Sequence, residues 1–94
     1  MLFPEPRLAI LTMEAGHVMV GRAKHAEGDE TVVELYDART IRKWGTANGL
    51  NQLYDGPTGE TVLDAKAPCI LVPVAQIIFA LPVNETPAWT EAVA

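Results

Sequence analysis

Cys69 is the only cysteine in the chain, so no disulfide framework closes within it, and a cysteine-based zinc site has too few thiols. Its neighbours Pro68 and Ile70 are apolar, and a buried, inert thiol is expected there. Aromatic residues are scarce, at 6%. The core must therefore come from Val, Ile, Leu and Ala, a bias that favours strands. No run approaches the roughly 20 apolar residues that a membrane-crossing helix needs. Pro4, Glu5, Pro6 and Arg7 interrupt any apolar run near the start, so no secretory signal is expected and the cytoplasm is the expected location. Cations are also few, seven against twelve acidic residues, for a formal net charge of -5. Such a surface repels nucleic acid and anionic membrane, which argues against general binding to either and leaves room for one local basic patch.

What the chain does have is 49% hydrophobic residues among 94, ample for one core and a single small domain. Residues 7–13 (RLAILTM) form a short apolar run and residues 17–24 (HVMVGRAK) alternate in part, with Glu14-Ala15-Gly16 as the turn of a hairpin. A second turn around Gly28-Asp29 leads to residues 31–36 (TVVELY), whose alternation predicts a third, half-buried strand. Residues 39–44 keep strand character, as a bulged continuation or a fourth strand. Asn48 then reads as an N-cap, with Leu50, Leu53 and Tyr54 on one helical face and Gly56-Pro57 ending the segment. Residues 60–63 are a brief strand candidate. Residues 69–74 and 76–81 are apolar and β-branched, with Pro73 marking an edge or kink.

No catalytic signature emerges. His17 and His25 lack a third ligand at metal-binding spacing, and the glycines at 45, 49, 56 and 59 lack the lysine that follows a phosphate-binding loop. No cofactor or metal is expected. The one concentration of chemistry is Arg39, Arg42, Lys43 and Trp44 just before Asn48 and Gly49. Cations, an aromatic face and free amides at a helix start suit a phosphate carrying a base. The alternatives are surface ion pairs with Trp44 plugging the sheet edge, or a contact with a protein partner. Alternation turns Ile41 to the core and leaves Arg42 and Trp44 as the outward pair. Near the end, Trp89 and Val93 follow Pro87 in a short amphipathic tail. That tail either folds back or docks on a neighbouring subunit, which makes Trp89 and Val93 the candidate oligomer interface.

The pattern Ala15-Gly16-His17-Val18-x-Val20-Gly21, followed by Asp37-Ala38-Arg39-x-Ile41-x-x-Trp44 and then Gly49-Leu50-x-x-Leu53, resembles a family of short phage and prophage proteins. The apolar stretch Ile77 to Pro82 fits the same family, and the likeness spans roughly residues 7–82. The chain departs from it in having one tryptophan where many members carry Trp-x-Trp, and in the additional loop at residues 55–67. The resemblance carries over no catalytic residue and implies a viral accessory protein.

Together these readings predict a mainly β fold: a small antiparallel curved sheet or barrel of about five or six strands with one short helix near residues 48–55. Residues 1–82 form the domain and 83–94 the tail. The expected function is non-catalytic: sequestration of a small anionic nucleotide signal by a homo-oligomer in the host-cell cytoplasm, counteracting host defence. The alternatives are an acidic inhibitor of a host defence protein, or a virion decoration protein.

Overall fold

Alternating strands and short turns build the first half of the molecule as the sequence predicts. A computed structural model describes residues 3–94. Strands β1 (Arg7–Met13), β2 (Val18–Ala26) and β3 (Asp29–Lys43) form an antiparallel meander. The short β4 (Val62–Leu63) and β5 (Ala67–Pro73) pair with successive parts of β3, and β6 (Ile77–Pro82) returns to β1. The sheet runs β4-β3-β2-β1-β6, with β5 beside β4 on the outer side of β3, and it is not closed. A one-turn 3-10 segment, Val74–Gln76, joins β5 to β6 just after Pro73.

The long β3 answers the question left open by residues 39–44: it is one strand carrying a bulge. Its pairing with β2 shifts register between Val20 and Arg22, and Asp37 takes a positive φ of 53° at that point. Gly21 lies opposite the bulge. A Cβ there would meet the Tyr36 carbonyl oxygen at 2.7 Å, so only glycine lets the two strands approach. The bulge also resets the alternation. Val33, Leu35 and Ala38 share one face, whereas Ile41 lies on the opposite face with Val20.

Both faces of the sheet are covered. On one, Phe3, Ala9, Leu11, Met19, Val33, Leu35 and Val72 pack together. The N-terminal arm is held there by His25, whose Nδ1 accepts the Phe3 N–H at 3.0 Å and whose backbone N–H donates to the Phe3 carbonyl at 2.9 Å. This buried histidine is therefore structural.

On the other face, Leu8, Ile10, Val20 and Ile41 meet Leu50, Leu53, Val83, Trp89 and Val93. The segment expected as a helix near 48–55 is a 3-10 helix, Leu50–Asp55. Asn48 is not its cap. Gly49 occupies that position at φ 86°, with no side-chain capping bond. The true α-helix, α1 (Pro87–Ala92), lies in the tail. Thr86 caps it by accepting the Trp89 N–H, and Pro87 stands at its start, where a missing N–H costs nothing.

The tail therefore does not stand off the domain. Trp89 is 0% exposed, and its indole N–H donates to the Leu53 carbonyl at 2.8 Å. The Asn84 N–H donates to the Tyr54 carbonyl, and the Thr86 hydroxyl to the Asp55 carbonyl, both at 2.8 Å. Trp89 and Val93 are core residues of their own chain, which corrects their assignment as an oligomer interface. An aromatic side chain this large does more for a small domain inside its core than on its surface. Cys69 is a second correction: it is exposed on β5, because alternation along that strand sends Ile70 and Val72 inward. No helix among the described residues is long and apolar enough to cross a membrane.

Candidate functional site

The strand end at residues 42–44 is built by a second loop that folds against it. Beyond Lys43 the chain turns at Gly45, with φ 68°. A Cβ on Gly45 would lie 2.3 Å from the Glu60 carbonyl carbon and 2.4 Å from the Thr61 nitrogen, so the two backbones touch there. Two hydroxyls lock the contact. The Thr61 hydroxyl donates to the Trp44 carbonyl, and the Thr58 hydroxyl to the Gly45 carbonyl, both at 2.6 Å. The Asp64 N–H donates to the Thr40 carbonyl at 2.9 Å, which ties the same loop to β3 one step earlier.

The same loop supplies the counter-charges. Arg42 pairs with Asp64 at 2.9 Å, and Lys43 lies 3.9 Å from Glu60. Both cations are open to solvent, with 72% of the Arg42 side chain exposed. Exposed pairs of this kind contribute about 0–1 kcal/mol each, so an incoming anion displaces the carboxylate at little cost. Trp44 is 41% exposed. Its backbone is pinned while its ring stays accessible.

The remaining predicted site residues are placed differently. Arg39 is half-buried on the face shared by Val20 and Ile41, and its guanidinium donates to the Asp64 carbonyl at 3.4 Å, leaving its Nε without a partner. The Asn48 N–H donates to the Gln52 side chain at 3.0 Å, and the Gly49 carbonyl accepts both the Thr46 hydroxyl at 2.7 Å and the Gln52 N–H at 3.2 Å. These groups close the loop on itself. Arg42, Lys43 and Trp44 are thus exposed at successive positions of one strand end, whereas Arg39, Asn48 and Gly49 are engaged by hydrogen bonds within the fold.

Asp64 and Glu60 are the residues that sequence reasoning missed. They stand 22 and 17 positions from their cationic partners, and no local pattern announces such pairing. His17 is exposed beside the first turn, whereas His25 is buried under the N-terminal arm. Among the described residues, no three His, Cys, Asp or Glu side chains gather as a metal site requires. Compared with protein-family models, curated proteins and solved structures, the chain matches none of them.

Proposed function

We propose that this chain is a phage-type accessory binding protein that takes up a small anionic nucleotide at the Arg42–Trp44 corner and so withholds it from a host-defence pathway. The observation that carries this reading is the corner itself. An accessible indole and two solvent-open cations stand on a strand end whose Trp44 and Gly45 carbonyls are held by the Thr61 and Thr58 hydroxyls of one neighbouring loop. Rigid presentation lowers the entropy lost on binding. The indole offers a stacking face to a base, and Arg42 offers a planar donor fork to a phosphate once it leaves Asp64. The likeness to phage and prophage proteins supplies the setting.

Calorimetry with a panel of cyclic and linear nucleotides tests the reading. Arg42→Ala is expected to weaken binding roughly ten- to hundred-fold, the scale of one charge-assisted hydrogen bond. Trp44→Ala is expected to weaken it by a similar factor through lost stacking. Wild-type protein that binds no member of the panel contradicts the proposal. It would then favour the second reading, a contact with a basic host protein, for which the net charge of -5 is the supporting feature.

A further inference from the structure

Among the described residues, three strands of this open sheet have an unpaired side, and they are not equivalent. β4 has two residues. The ladder of β6 with β1 shifts register between Thr12 and Met13 and ends at Pro82. β5 runs for seven residues in unbroken register, from Val32↔Pro73 to Ala38↔Ala67, and pairs only with β3. Natural sheets protect such an edge with lysines, bulges or outward charges. β5 has none of these, and no residue from Ala67 to Val83 carries a charge.

Its prolines leave the middle of the edge usable. Pro73 has no N–H, so its pairing with Val32 is a position where no bond to β3 is made. The alternation of an antiparallel ladder then turns the N–H groups of Cys69 and Leu71 away from β3, towards the open side. Pro68 has the opposite parity, so its missing donor is on the β3 side, across from the bulged Asp37. The outer face is apolar as well. Leu71 is 65% exposed, and Cys69 is exposed next to Tyr36. The Tyr36 hydroxyl donates to Glu34 at 3.0 Å, and that carboxylate holds the phenol above its usual range.

We propose that β5 pairs with β5 of a second copy, antiparallel and centred on Ile70, so that the two sheets become one across a two-fold axis. Ile70 is the midpoint of the seven-residue strand. Centring there sets Cys69 opposite the partner subunit's Leu71, and the two exchange both backbone bonds. Ala67 then faces the partner subunit's Pro73, whose carbonyl is still free to accept. Each exposed Leu71 is covered by the partner's Cys69. Charge does not oppose this edge: two copies at -5 repel each other generally, but β5 brings no charged side chain opposite its own image, and unbroken register sets it above the equally uncharged β6. The pairing does not depend on nucleotide binding, and it gives the expected homo-oligomer an interface other than Trp89.

The test is sedimentation of the full chain at high-micromolar concentration, alongside Leu71→Pro and Leu71→Cys. Wild-type protein is expected to sediment at twice the chain mass. Leu71→Pro removes an outward N–H without breaking a bond to β3, and is expected to lower the association constant at least about tenfold, with its thermal unfolding showing that the fold persists. Leu71→Cys places a thiol directly opposite the partner's Cys69, with Cα atoms about 5.5 Å apart, within disulfide reach. Mild oxidation is expected to give a covalent dimer with this variant and not with wild type, whose two Cys69 residues are offset along the pair. A monomeric wild type, a dimer insensitive to Leu71→Pro, or a wild-type dimer whose Leu71→Cys form does not cross-link would each overturn the proposal.

Discussion

Trp89→Ala is expected to lower unfolding free energy by about 3–5 kcal/mol, the usual cost of emptying a large aromatic site in a core. The loss has two sources. The indole fills the space between the sheet and the 3-10 segment among Leu8, Ile10, Leu53 and Val83. Its N–H is also a donor to the Leu53 carbonyl, which on truncation keeps only the Gly56 N–H at 3.1 Å. Native proteins have about 5–15 kcal/mol in total, so the variant is expected to lose a large share of its stability. Trp89→Phe keeps most of the volume and loses only the hydrogen bond, so it is expected to fall near 1–2 kcal/mol. Urea unfolding of both variants checks the pair. A tryptophan serving as an intersubunit anchor behaves differently: its removal lowers the mass in sedimentation and leaves the stability of the monomer nearly unchanged.

Gly45→Ala is the second large effect. At φ 68° an alanine is strained by roughly 1–3 kcal/mol before any contact is counted. Its Cβ would also lie 2.3 Å from the Glu60 backbone, which cannot rotate away, and overpacking of that kind adds about 1–3 kcal/mol. A total of about 2–6 kcal/mol is expected by urea unfolding. Gly28→Ala is the control, since Gly28 has a comparable φ of 74° with nothing near its missing Cβ. It is expected to show the backbone part alone. If the two variants melt alike, the contact between the 42–45 strand end and the 58–64 loop is looser than the geometry implies. Because that contact positions Trp44, Gly45→Ala is also expected to weaken nucleotide binding without removing any group that touches the ligand.

The meander was legible in the sequence because alternation with a buried inner face is a local signal. Val33 and Leu35 announce β3 within a few residues, and the turns at Gly16 and Gly28 separate the first three strands. The bulge was legible only as an alternative, since nothing near Asp37 reveals that Gly21 sits across from it. The second core was hidden for a different reason. Leu8 and Ile10 alternate with Ala9 and Leu11, so β1 is apolar on both faces, and such a strand does not say what covers each side. Thr86-Pro87 carried a readable signal for α1, an N-cap followed by proline at the first helical position. It did not tell where the amphipathic tail goes, because nothing local to Trp89 points to the space above Leu53. Cys69 misled through its apolar neighbours, whereas its exposure follows from strand parity and from there being no element beyond β5 among the described residues. The cationic cluster was visible in composition. Its trimming to Arg42, Lys43 and Trp44 depended on carbonyls and carboxylates supplied from residues 58–64.

The two tryptophans make the central claim directly measurable, since one lies in the core and the other in the proposed site. In a two-dimensional 1H-15N spectrum the indole N–H of Trp89, buried and donating to Leu53, is a fixed internal reference. The indole N–H of Trp44 belongs to an accessible ring. Titration with cyclic and linear nucleotides is predicted to move the Trp44 indole signal and the amides of residues 42–45 and to leave the Trp89 indole signal in place. A Trp44 signal that stays still at saturating nucleotide, or a shift confined to the Trp89 indole, would contradict the account.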